Sequence, residues 1–290
     1  MPRLSQEVRA TRKIILAAQP GLRKAFVRAV TTVRNGTSIT DVEDLLNAGN
    51  LDGAVNAIPW AELAEPVLRD QLMRGLRDVY EQTGAKMADI IDLGSEFSIV
   101  DPRASQWIGK YGADKVVEIS DATVAGLRTS LVTMLDGGLT AQQAAQLIRP
   151  QIGLHERWAQ AVSTYAVETE AAGELTGEEL TADVQRYATQ LLQARAMNIA
   201  RTESQYAAQA GQREAWDQAA EQGLFDKAVA TKTWLYDFNS TTDCGCPELD
   251  GETVGYDELF SGGDDAPPRH TNCGCSLVLH PEGAAKEEAA

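Results

Sequence analysis

The chain has 290 residues, 43% of them hydrophobic and 23% charged, with 26 basic against 42 acidic side chains and a formal net charge of −16. That length accommodates two modest domains or one extended one. The acid excess argues against a protein whose main task is coating nucleic acid, because that affinity comes from neutralising phosphates with Lys and Arg. Met1 to Glu7 lacks an apolar core for a secretory leader, and no run of about 18 apolar residues follows for a membrane span. A reducing compartment is therefore expected, in which paired cysteines are more often metal-bound than bridged.

Most of the first 230 residues read as helix. Leu4 to about Arg34 is amphipathic, with Ile14, Ile15, Leu22, Phe26 and Val30 at helical spacing, and a break is expected at Pro20. Thr40 to Glu43 has the form of a capping box opening a short helix that stops at Gly49. A longer helical stretch is predicted from about Trp60 to Leu93. Phe97 to Arg103 reads as a break or short strand, and Ser120 as the cap of a helix that follows a separate segment at Trp107. Thr140 to Gln143 forms a second capping box. Residues 171–183 are acidic and carry glycines, the composition of a hinge. Beyond them, apolar and polar positions advance by threes and fours to Gly223, which predicts a single helix about 60 Å long. Thr231 to Tyr236 is β-branched and aromatic, a strand signature, and Ser276 to Leu279 reads as a closing strand. Between them the chain is turn-rich, and the Gly262 to Asp265 run reads as a solvated turn.

All four cysteines lie in this last part, as Cys244-Gly245-Cys246 and Cys273-Gly274-Cys275, with His270 three residues before the second pair. Soft donors at both ends of a loop-rich segment have the pattern of a structural zinc site, four of the five taking the ion tetrahedrally. Two long-range disulfides or four free thiols are the alternatives. A catalytic zinc would need an open position and a nearby base, for which Glu248, Asp250 and Glu252 are the candidates. A thiolate-rich set favours closure over hydrolysis, so no catalytic residue is assigned.

Several motifs occur in order: Arg195, Ile199-Ala200-Arg201-Thr202-Glu203, Lys232-Thr233-Trp234, Cys246-Pro247-Glu248-Leu249-Asp250-Gly251, Pro267-Pro268-Arg269-His270 and Cys273-Gly274-Cys275. This series resembles the phage Mu protein F-like family of minor head, or head morphogenesis, proteins. The resemblance is strong from about Arg195 to Leu279 and extends more weakly back to Ala104. The chain departs from the family pattern where Asp243 stands at the first cysteine position, and where Thr271 and Gly274 replace a proline and an arginine.

The expected fold is mainly α, an elongated helical region leading through one long helix into a small zinc-stapled α+β module. Its expected divisions are a partner-binding helical region over 1–170, the acidic hinge over 171–183, the family domain over 184–281 and a disordered tail over 282–290. Arg201, Glu203 and Trp234 are expected to anchor the module on the long helix. The resemblance implies a virion protein made in the host cytoplasm, which meets portal, major capsid or scaffold proteins during head assembly and genome packaging or delivery. It would have no reaction of its own; a virion-borne hydrolase or toxin-like effector is the alternative. DNA contact is disfavoured by the charge, with the basic positions Arg3, Arg9, Arg12, Lys13, Arg23 and Lys24 as its one candidate surface.

Overall fold

The structure, a computed structural model, describes residues 5–91, 96–237 and 244–282. Its elements are α1 (Gln6–Gly36), α2 (Ile39–Asn47), α3 (Leu51–Asn56), α4 (Trp60–Val67), a π-helical turn (Leu68–Leu72) and α5 (Met73–Ile91). There follow α6 (Pro102–Asp136), α7 (Ala141–Ile148), a 3-10 turn (Arg149–Gln151), α8 (Glu156–Ala172) and α9 (Gly177–Glu221). The chain closes with β1 (Thr231–Leu235), a 3-10 turn (Pro247–Leu249), β2 (Thr253–Gly255) and β3 (Ser276–His280). It is mainly helical with one small antiparallel sheet near the C-terminus, as the sequence predicts. No described helix is long and apolar enough to cross a membrane.

The chain divides into two compact units. One comprises Met1–Leu22, Arg74–Gly109 and Asn198–Ala290; the other comprises Arg23–Met73 and Lys110–Met197. The division falls within α9, at Met197 and Asn198, and not in the acidic stretch 171–183. That stretch is interrupted only briefly: α8 ends on Gly173 in the left-handed region (φ 68°) and α9 already begins at Gly177. The last turns of the expected hinge are therefore helix, stabilised by Glu178 and Glu179 at the positive end of the helix dipole. The expected tail lies outside the described residues apart from Glu282, as does the expected helix end at Leu93.

The helical unit is built around Phe26, Val30, Leu68, Leu72, Leu127, Leu131, Met134, Ile148, Val162 and Val184, all buried. Here α2 packs against α7 and α3. The Thr140 capping box forms as predicted, with the Gln143 amide donating to Thr140 Oγ1 and the Gln143 side chain returning to Thr140. The Thr40 box does not form. Helix α2 starts two residues earlier, and Ser38 Oγ accepts from the Asp41 amide instead (3.2 Å). Ser120 caps nothing, because α6 runs through it unbroken; its hydroxyl is buried and accepts from Trp60 Nε1 (3.0 Å).

Arg195 is 6% exposed in this unit and has no carboxylate partner among the described residues. Its guanidinium donates to Thr123 Oγ1 (2.9 Å), Gly153 O (2.8 Å) and Ile119 O (3.3 Å), and it faces the Phe26 ring. Burial alone pulls its pKa down, to about 10. Arg34 serves the same loop, donating to Pro150 O and Ile152 O.

Helix α1 passes through Pro20 without a break. A proline in a helix interior forfeits one hydrogen bond and costs about 3 kcal/mol. Burial of Ile15, Leu22, Phe26 and Val30 on either side offsets that cost. The Phe97 to Arg103 segment is no strand: residues 96–101 are irregular, and Pro102 takes the first position of α6, where its missing amide is harmless.

The unit containing the C-terminus carries the sheet, in the order β2-β1-β3. Strand β1 alternates as predicted, with Lys232 and Trp234 turned inward. Strand β2, inside the segment read as turns, pairs Thr231–Thr233 with Thr253–Gly255. The hydrophobic cluster of this unit contains Trp216, Trp234, Leu249, Tyr256, Phe260, Leu277 and Leu279. Helix α9 meets α5 closely at Gly211, where any Cβ would strike the Tyr80 carbonyl.

Candidate metal centre

Each end of the centre is held by short-range chemistry. At the first end, Cys246 closes a 3-10 turn in which the Leu249 amide donates to Cys246 O (3.1 Å). Leu249 is buried, Asp250 accepts from the Tyr236 amide (2.9 Å), and Gly251 takes a left-handed conformation (φ 80°). The Gly251 amide then donates to Trp234 O, and the Trp234 amide to Glu252 O (both 2.9 Å). The Leu-Asp-Gly run thus supplies an apolar plug, an amide acceptor and a left-handed turn that return the chain to β1.

At the second end, the Cys273 amide donates to His270 O (3.1 Å), and Asn272 sits at φ 63°. Asn272 is fastened to α9: its amide donates to Thr202 Oγ1 (3.0 Å) and its side chain to Asn198 Oδ1 (2.9 Å). Below it, Gln205 Nε2 donates to Cys275 O and Gln212 Nε2 to Leu277 O (3.0 Å). Arg269 joins the two ends, donating to Gly245 O (3.1 Å) and Gly262 O (3.3 Å) while paired with Asp264 (2.5 Å). Gly274 lies against Asp237, whose side chain a Cβ at this position would displace.

These constraints bring the five predicted donors together in two triads that share one atom. Cys244, Cys246 and His270 place their donor atoms within 4.8 Å of one another, and so do Cys246, Cys273 and Cys275. Cys246, Cys273 and Cys275 are buried in the hydrophobic cluster, whereas Cys244 is half-buried. His270 Nδ1 is hydrogen-bonded to the Thr271 carbonyl (2.9 Å), and its Nε2 is buried without a hydrogen-bond partner. A buried, unpaired ring nitrogen beside thiols has the chemistry of a metal ligand, since burying a polar atom without a partner otherwise costs free energy.

The thiols respond to one another. The Cys275 S–H bonded to Cys273 holds the Cys273 pKa down, aided by the Cys275 and Arg269 amides. Burial, reinforced by the hydrogen bond to Cys244, pushes Cys246 up. The lowered Cys273 is the thiol best suited to bind a metal, since thiolate is the ligating form. The cluster can hold a metal ion.

The three expected anchors differ in position. Trp234 is fully buried and meets the Phe260 ring edge-on (centroids 5.2 Å apart). Glu203 is buried on α9. Arg201 is exposed, and its guanidinium has no partner among the described residues, so it does not hold the loops. Asn198, Thr202, Gln205 and Gln212 do that instead. Neutral side chains of short reach satisfy loop backbone without desolvating a charge, which a guanidinium in that role would have to do.

The sequence named the Lys232 motif and the Gly262 to Asp265 run without revealing how they are joined. Lys232, with a wholly buried side chain, reaches the carboxylate and backbone carbonyl of Asp265 and lies over the Phe260 ring. Burial pulls its pKa down. The Gly262 to Asp265 run is therefore not a free solvated turn, because Asp264 and Asp265 both carry ion pairs. The inward register of position 232 in an alternating strand was the available signal.

The chain matches no curated protein and no solved structure. The family model of the phage Mu protein F like protein matches residues 125–278. The match begins later than the weak resemblance noted at Ala104, and it takes in α7, α8, α9 and the metal centre up to Val278 in β3. With more than half its length covered, the chain belongs to the phage Mu protein F-like family.

Proposed function

We propose that this protein is a minor head component of a tailed phage that associates with the portal or the inner capsid surface during assembly. Family membership points to head morphogenesis and to contact with other phage capsid proteins; the portal location is the finer reading. The observation that carries it is the match over 125–278, which takes in both helical scaffold and Cys/His module. In this reading the helices offer surfaces to portal, major capsid or scaffold proteins. The module is a rigid knob closed by one zinc ion, and the protein acts by binding, without a reaction of its own. It works in the host cytoplasm while heads assemble and remains inside the virion.

The donor chemistry supports a structural zinc. When bound, the ion supplies a tetrahedral cross-link between two turns, and several thiolates make it a poor Lewis acid. Neighbouring carboxylates support the same reading: Asp250 is engaged by the Tyr236 amide, and Glu252 by the Ser261 amide and hydroxyl (both 2.7 Å). Those two bases are committed to holding turns.

Mass spectrometry of proheads and mature particles of the encoding phage tests the proposal. The chain is expected in both, and portal captured from dissociated proheads is expected to bring it down. Absence from both particle types overturns the reading.

A further inference from the structure

The two triads pose a question that spacing alone leaves open, namely which donor stays out of a four-coordinate site. We propose that the metal's protein ligands are Cys246, Cys273, Cys275 and His270, and that Cys244 remains an uncoordinated thiol. The assignment rests on the metal-staple reading above.

Cys246 belongs to both triads, so any closed site contains it. Cys273 and Cys275 are 4% and 1% exposed and complete one triad with Cys246, while His270 and Cys244 are its partners in the other. The fourth ligand is then His270 or Cys244. His270 is prepared for the role. The Thr271 carbonyl can only accept, so Nδ1 carries the proton and Nε2 presents its lone pair. That lone pair is buried and unmatched. Leaving it so costs free energy, which a metal bond removes.

The backbone around His270 is fixed as well. The His270–Cys273 hydrogen bond and the attachment of Asn272 to Thr202 and Asn198 set the imidazole and two thiols on a single clamped turn. Cys244 has no such backbone tie among the described residues; it shares the half-buried setting and the triad of His270, and its thiol is hydrogen-bonded to Cys246. Charge agrees. Three thiolates and a neutral imidazole around Zn2+ leave a net charge of −1, whereas four thiolates leave −2 in a site where Asp237 already lies against Gly274. The smaller buried charge is the cheaper one.

The test uses the full chain loaded with Zn2+, and separately with Co2+. Zinc content, chelator competition and the thiolate-to-cobalt charge-transfer band are measured for wild type, Cys244→Ser and His270→Gln. Cys244→Ser is expected to keep one metal per chain with unchanged band intensity. His270→Gln is expected to lose at least ~10-fold in zinc affinity. Native alkylation of zinc-loaded wild type, followed by peptide mass spectrometry, is expected to label Cys244 alone, a readout independent of whether any variant folds. A weakened band and lower affinity in Cys244→Ser, with Cys244 protected from alkylation, would overturn the assignment while leaving the staple intact. Wild type that takes up neither ion would overturn both.

Discussion

Lys232 Nζ, shielded from solvent, is met by the backbone carbonyl of Asp265 at 3.0 Å and by that residue's carboxylate, while the Asp265 side chain itself is 49% exposed. The pair is therefore lopsided, and its two halves are not equivalent targets. Removing the carboxylate leaves a buried ammonium without a counter-charge; removing the ammonium leaves a carboxylate that water can still reach. Asp265→Ala is expected to cost about 2–4 kcal/mol, less than a wholly buried pair would because the acid is half solvated. Lys232→Met, which keeps the volume, is expected to cost less than half as much. Urea unfolding of the two variants checks the order.

Glu7 on α1 accepts from the Leu279 amide on β3, yet burial raises its pKa from 4.5 to about 7. The folded state thus holds the proton more tightly than the unfolded chain. Its contribution is complete below about pH 4.5 and is lost as pH rises through about 7. Glu7→Gln is expected to leave stability unchanged near pH 4 and to raise it by up to about 3 kcal/mol at pH 8.5. The difference between the two urea midpoints across that range isolates this group from every other titration.

The three hydrogen bonds of Arg195 are all to neutral oxygens, so the residue acts as a fork that fills backbone acceptors and not as half of an ion pair. Arg195→Ala is expected to cost about 3–5 kcal/mol through the cavity and the stranded acceptors. Arg195→Lys is expected to recover less than half, since a single ammonium lacks the planar spread. Thermal and urea melts of both variants measure this.

Zinc removal provides a regional test. In zinc-loaded protein, chelation is expected to speed hydrogen exchange at β1, β3 and residues 244–275 by at least ~10-fold, while residues 110–197 keep their protection. Uniform loosening of both regions would contradict a local staple.

The comparison of sequence and structure separates local from distant causes. The Thr140 box was legible because every group in it lies within four residues. The Thr40 box offered the same pattern, but Ser38 competed for the cap and won, which pattern alone does not reveal. Ser120 read as a cap because a buried hydroxyl and a capping hydroxyl look alike until the Trp60 indole, sixty residues away, is in place. The clustering of the four cysteines and His270 was legible from spacing, whereas their arrangement as two triads that could hold a metal depends on how Arg269 and Asn272 pin the turns. Arg201 was preferred to Asn198 and Thr202 because charge is conspicuous in a sequence, while the quieter amides and hydroxyls that carry the loops are not. The burial of Lys232 was missed for the converse reason: a lysine is rarely placed inside.

The unit that holds the sheet is assembled from three separate stretches of chain, the first beginning at Met1 and the last ending at Ala290. Its opening helical turns emerge from the ribosome long before β1 and β3 have been synthesised. Glu7 must wait for Leu279, and during that interval the buried residues Val8 and Ile15 of α1 lack the part of their unit that is made last. Completion of this unit thus waits for the synthesis of β1 and β3.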